Sequence, residues 1–134
     1  MISWSSLKQG SIAQSTTEAE YIATSDASKE AVWLRKLVSG LFGDKLEMTV
    51  VHCDNQSCIK LTKNLVFHDR SKHIDMRYHY IRDLVQRKTV KLQYIATSEQ
   101  VVDILTKPLT SRQFVQLRGK LGVAENDSLV EREC

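Results

Sequence analysis

From Thr17 onward the apolar residues Ala19, Ile22, Ala23, Ala27, Ala31, Leu34, Val38 and Leu41 recur at the three-and-four spacing of one helical face, and Gly40 and Gly43 supply a stop. A helix of that length carries an apolar stripe that must be buried against a second layer of structure. Short strands offer that layer. EMTVVHC is β-branched and bounded by turn-like residues, which predicts a buried strand. In VKLQY, Val90, Leu92 and Tyr94 alternate with Lys91 and Gln93, the pattern of a strand with one wet face, suited to a sheet edge.

The remaining elements fit around these strands. ISWSSLKQGSIAQS reads as an opening hairpin, and Asp54 begins a short helix through Leu61. TKNLVFHDRSK breaks periodicity as a loop, after which Ile74, Tyr78, Ile81 and Val85 stripe a second helix. Ser98 predicts the N-cap of a helix through EQVVDILTK that Pro108 ends; Ser111 to Leu121 forms a last helix stopped by Gly122. Strands alternating with helices predict an α/β fold, with one domain over residues 1–122 and a flexible tail over 123–134. Trp4, Trp33, Tyr78 and Tyr80 are expected to be packing residues rather than stacking platforms.

A chain of 134 residues can bury one sizeable core without staples. Its 19 Lys and Arg against 16 Asp and Glu give a net charge of +3, which permits contact with a polyanion without demanding it. No apolar run is long enough to span a bilayer, and MISWSSLKQG lacks a signal core, so an intracellular protein that is neither secreted nor membrane-bound is expected. Cys53, Cys58 and Cys134 are odd in number and lack CxxC spacing, and His52, His68, His73 and His79 match no common zinc pattern; reduced thiols and no zinc site are expected.

Three acidic residues stand where element ends could gather them: Glu20 in the first turn of the long helix, Asp54 after a strand, and Asp103 in the helix after VKLQY. Each also has an ordinary explanation. Ser15 with Glu18 and Thr17 with Glu20 both satisfy the capping-box pattern, Asp54 precedes a helix as an N-cap does, and Asp103 alone reads as a solvated helical acid. Gathered at one sheet rim, the three would instead offer hard oxygen ligands to Mg²⁺ or Mn²⁺, and two such cations can hold the attacking and leaving oxygens of a phosphodiester.

The strings ISWSSLKQGSIAQSTTEAEYIA, VVHCDNQSCIKL, HDRSKHIDMRYHYIRD and SEQVVDILTKPL closely resemble the C-terminal ribonuclease H domain of copia-type LTR-retrotransposon Pol polyproteins, over about residues 2 to 122. The resemblance implies a ribonuclease H-like mixed sheet flanked by helices, acting beside a reverse transcriptase to hydrolyse the RNA strand of RNA–DNA hybrids. By motif position it makes Glu20 of A-E-Y, Asp54 of C-D-N and Asp103 of E-Q-V-V-D the catalytic metal ligands, leaving Glu18 as a cap. It places the protein in a cytoplasmic particle or the nucleus.

One departure tempers this. The family's first metal-binding aspartate lies on a central first strand, in a motif such as Y-S-D-A-D-W, whereas this sequence starts at Met1 just before I-S-W. The expected fold is therefore N-terminally truncated, with the central strand absent, Mg²⁺ binding weak or absent, and no appreciable activity as an isolated chain. Exposed strand edges are expected to self-associate, to pair with an upstream strand, or to close on one another. Arg70, Lys72, His73, Arg77 and Arg82 form a basic face that could hold the hybrid's phosphates, or serve only as a solvated helix face. The alternative functions are a non-catalytic nucleic-acid-binding or self-associating module, and a relic reading frame.

Overall fold

The long apolar stripe folds as α1, Thr16–Phe42, in a computed structural model that describes residues 8–10, 13, 15–43, 45–63 and 72–123, with the backbone alone at 72–75. Ser15 caps it, its hydroxyl accepting from the Glu18 amide at 3.1 Å, which satisfies one of the orphan donors of the first turn. Gly40 lies inside the helix. The stop is Gly43, whose φ of 70° is a left-handed conformation open to glycine at little cost, and whose amide bonds back to the Ser39 carbonyl.

The face that α1 buries differs from the expected stripe. Tyr21, Ile22, Thr24, Ser25 and Ser28 are buried while Ala23, Ala27 and Leu41 are exposed. Small hydroxyl residues can line a buried helix face because their polar atoms find local acceptors. Ser28 Oγ donates to the Thr24 carbonyl at 2.7 Å; Ser25 Oγ is the exception, buried without a partner.

After α1 the chain runs through β1, Thr49–Cys53, then α2, Gln56–Lys63, then α3, Lys72–Gln86, and returns as β2, Val90–Tyr94. β1 and β2 pair in parallel, with Thr49 opposite Val90 and Cys53 opposite Tyr94. Parallel neighbours need a crossover, and α2 with α3 supplies it. The pairing continues past the strand ends, Thr49 N bonding to Thr89 O and Ile95 N to Cys53 O. Among the described residues the sheet has these two strands, so the architecture is mixed α/β, compatible with part of a ribonuclease H-like sheet.

Among the described residues, one face of this sheet is covered. Cys53, Val90 and Leu92 are buried and Val51 is partly so, while Val50, His52, Lys91 and Gln93 face out. EMTVVHC is thus not a fully buried strand, because period-two alternation sends Val50 to the open side despite its apolar side chain. Tyr94, the last residue of β2, is also exposed. The covered face meets Tyr21 of α1, Cys58 and Ile59 of α2, and Ile81 and Leu84 of α3, with Tyr78, Tyr80 and Val85 packed around them. Trp33 is not a packing residue: it is 55% exposed on the outer side of α1.

Arg35 of α1 fastens the link before β1, donating to the carbonyls of Leu46 and Glu47 and to Thr49 Oγ1. No pattern in the sequence around Arg35 marks this role.

Residues 9–95 form one compact unit; a second comprises residues 96–134 with 1–8. In the second, the expected helix from Ser98 does not run continuously. Thr97–Glu99 is a single 3-10 turn, Gln100 is extended (φ −68°, ψ 107°), and α4 covers only Asp103–Thr106. Ser98 lies within the turn rather than capping a helix. Lys107 is extended (φ −134°, ψ 146°), as the residue before a proline must be, which ends α4. α5, Ser111–Lys120, has Thr110 as its cap, and Gly122 follows with a φ of 73°. Most of the expected hairpin and of the loop TKNLVFHDRSK, and residues 124–134, lie outside the described residues.

Candidate active site

α1 begins beside the end of β1. Asn55 Nδ2 lies 3.5 Å from Thr17 Oγ1, joining the first turn of α1 to the residues that follow the strand. Glu18 alone of the two glutamates falls in that turn, buried at the third helical position of the Ser15 capping box, and Glu20 lies just beyond it. Glu20 is half-buried, and its carboxylate raises the thiols of both Cys53 and Cys58, which places its charge near the strand end.

Asp54 follows β1 directly, but it is not the cap of α2. Asn55 is, its Oδ1 accepting from the Cys58 amide at 3.1 Å. The half-buried Asp54 carboxylate accepts no hydrogen bond and pairs with no cation among the described residues. Separate roles for these neighbours predict separate effects. Asn55→Ala should cost about 1 kcal/mol of stability as a lost cap, whereas Asp54→Asn should stay within about 0.5 kcal/mol. Urea unfolding of the two variants checks this, and equal losses would return the cap to Asp54.

Between Asp54 and the core lie two buried thiols. A hydrogen bond from Cys58 brings the Cys53 thiol down to about 7, against the opposing effects of burial and of Glu20, while the same interaction and burial push Cys58 up. Cys53 Sγ also lies 3.5 Å from the Asn55 carbonyl, and Cys58 Sγ 3.9 Å from Thr24 Oγ1. Tyr21 packs against Tyr78, ring centroids 3.9 Å apart, and its hydroxyl donates to the Tyr78 carbonyl; burial pushes its ionisation well above the usual range. These contacts fix the first turns of α1 and α2 around the end of β1.

Asp103, in the second unit, is not the solvated acid that its sequence context suggests. It is 5% exposed at the start of α4, and Lys107 Nζ sits 3.0 Å from one carboxylate oxygen and 3.2 Å from the other. Lys107 stands i+4 from Asp103, the one local signal in the sequence for this pair. Among the basic candidates, Arg77 and Arg82 are half-buried on α3, and Arg82 lies close enough to Tyr21 to favour its ionised form. Arg70 and the side chains of Lys72 and His73 lie outside the described residues.

Glu20, Asp54 and Asp103 each carry carboxylate oxygens, the donor type a hard divalent cation prefers, and Asp54 has no protein partner among the described residues. Among the described residues, no three His, Cys, Asp or Glu side chains gather as a metal-binding cluster. Among them also, no helix is long and apolar enough to cross a membrane.

Comparison with known proteins finds similarity to transposon Pol polyproteins. It is 43% identical over 125 residues to the retrovirus-related Pol polyprotein from transposon TNT 1-94 of Nicotiana tabacum, covering 93% of this chain and 9% of the relative. The Pol polyproteins from transposons RE1 and RE2 of Arabidopsis thaliana are each 40% identical over 122 residues, covering 91% of this chain and 8% of theirs. The chain is a homologue of a short stretch of these retrovirus-related Pol polyproteins. No family model and no solved structure matches it.

Proposed function

We propose that this chain is the ribonuclease H-like portion of a copia-type Pol polyprotein, built to hydrolyse the RNA strand of RNA–DNA hybrids with Mg²⁺ or Mn²⁺ held by Glu20, Asp54 and Asp103. The observation that carries the reading is the end of β1, where the half-buried Asp54, without a partner among the described residues, follows the strand and the start of α1 brings the Glu20 charge close by. A protein that needed Asp54 only for folding would use it as the cap, and Asn55 already fills that place. The homology to Pol polyproteins supports the same conclusion.

The metal, when bound, activates water and stabilises the leaving oxygen. The chain's own groups have narrower tasks. Glu20 and Asp54 offer oxygens at one strand end, Asn55 and Thr17 keep the two first turns in register, and Arg77 with Arg70, Lys72 and His73 supplies positive charge for phosphates. Two divalent cations carry more charge than three carboxylates offset, and Asp103 is already shared with Lys107. The isolated chain should therefore bind Mg²⁺ weakly and cleave poorly.

Incubation of a labelled RNA–DNA hybrid with the chain in Mg²⁺ tests this. No appreciable cleavage is expected from the chain alone, and cleavage should appear when the upstream polyprotein segment carrying a Y-S-D-like motif is supplied. Hybrid binding without cleavage in both conditions would favour a non-catalytic binding module.

A further inference from the structure

The two buried cysteines bracket a turn that lies at the surface. Cys53, 2% exposed, ends β1, and Cys58, fully buried, stands in the first turn of α2; between them Asp54 and Asn55 are half-buried and Gln56 and Ser57 exposed. Both are free thiols, and they hydrogen-bond to each other within the cluster that includes Tyr21, Ile59 and Ile81. Their neighbours hold them in place. Cys53 Sγ lies 3.5 Å from the Asn55 carbonyl, Cys58 Sγ lies 3.9 Å from Thr24 Oγ1, and the Cys58 amide donates to Asn55 Oδ1. Two thiols in contact are what a disulfide needs, since its geometry tolerates little separation of the two side chains.

The turn between them supplies the route of access. α2 has only eight residues, too few to be stable by itself, so local opening of its first turn is the least costly way to bring water and small solutes to the pair. We propose that Cys53 and Cys58 are a peroxide-oxidisable pair that closes to an internal disulfide and in doing so displaces Asp54. The Cys53 sulfur, its proton passed to water, attacks one oxygen of hydrogen peroxide; the S–O bond forms, the O–O bond breaks, and the departing hydroxide takes up that proton as water. The Cys58 sulfur then attacks the Cys53 sulfur. The S–S bond forms, the S–O bond breaks, and the oxygen leaves as water with the Cys58 proton. The two thiols together lose two electrons, and one peroxide becomes two waters. A disulfide brings the sulfurs to about 2.05 Å, closer than any hydrogen-bonded pair, so the first turn of α2 must shift against the end of β1. Asp54 and Asn55 form the segment that takes up this shift. The thiol chemistry stands apart from the ribonuclease reading; only its effect on cleavage rests on it.

Peptide mass spectrometry on the folded full chain tests the pairing, because trypsin cutting after Lys45 and Lys60 leaves Cys53 and Cys58 on one peptide, residues 46–60, separate from Cys134. After exposure to hydrogen peroxide and alkylation in denaturant, that peptide should have lost two hydrogens and taken up no alkyl group. Dithiothreitol before alkylation should restore both alkylation sites. Oxidation of Met48 on the same peptide adds an oxygen and is read separately. In amide NMR spectra the signals of Asp54 and Asn55 should move on oxidation and return on reduction, while those at the far end of α1 stay in place. Recovery of the peptide with both thiols alkylated after peroxide, with Cys53 carried on to the sulfinic acid, or with Cys53 joined to Cys134 would overturn the pair. A disulfide that leaves the Asp54 and Asn55 signals unmoved would overturn the displacement.

Discussion

Replacing Asp54 by Asn should lower cleavage of an RNA–DNA hybrid by roughly a hundredfold to a thousandfold, in the setting where the upstream segment restores activity, the loss typical when one electrostatic stabiliser is removed from a transfer site. Asn is close in size to Asp, so the strand end and the Asn55 cap should survive, and only the charge is lost. That charge is what a divalent cation needs, since a neutral amide oxygen offsets none of it. Glu20→Gln should fall by a similar factor for the same reason. Glu18→Gln should not, because Glu18 is buried at the cap and would report on stability instead. Measuring single-turnover rates beside urea midpoints for the three variants separates the effects. A tenfold or smaller loss in Asp54→Asn would remove this residue from the reaction.

The split between legible and illegible features follows local chemistry. VKLQY shows its strand, and Val90 and Leu92 their burial, because alternation is a property of neighbouring residues alone. The long helix is visible for the same reason, but its buried face is not. A reading by hydropathy scores Ala23 and Ala27 as core and Ser25 and Ser28 as surface, whereas the buried face of α1 carries small hydroxyl residues, of which Ser28 bonds back to the Thr24 carbonyl while Ser25 Oγ has no partner. Asp54 and Asn55 are both good caps and differ by one position, so only the observed start of α2 decides between them. The burial of Asp103 depends on tertiary surroundings, and no local signal in EQVVDILTK reports it. The same segment shows why Ser98 misled: a good cap residue does not by itself supply a helix, and Gln100 leaves the helical region before Asp103 begins the next turn.

Ile81→Ala should destabilise the unit formed by residues 9–95 by about 3 kcal/mol, within the 2–5 kcal/mol that large-to-small core changes cost. Ile81 is fully buried in the cluster that joins Tyr21, Cys58, Leu84, Val90 and Leu92, so its removal deletes contacts to helices and sheet at once. Part of the cost is the lost transfer of its methyl groups from water, and the rest is the cavity that rigid neighbours cannot fill. Ile81→Val, which removes one methyl group, should cost about 0.5–1.5 kcal/mol, giving a graded series. Trp33→Ala supplies the contrast: a larger side chain is removed, but from the exposed side of α1, and the change should stay near 0.5 kcal/mol. Urea midpoints at constant slope measure all three. Since a domain of this kind holds only about 5–15 kcal/mol in total, Ile81→Ala should also raise the fraction unfolded enough to loosen the first turns of α1 and α2 around β1. A Trp33→Ala loss equal to that of Ile81→Ala would mean that the outer side of α1 contributes as much as the cluster, and would overturn the assignment of the core.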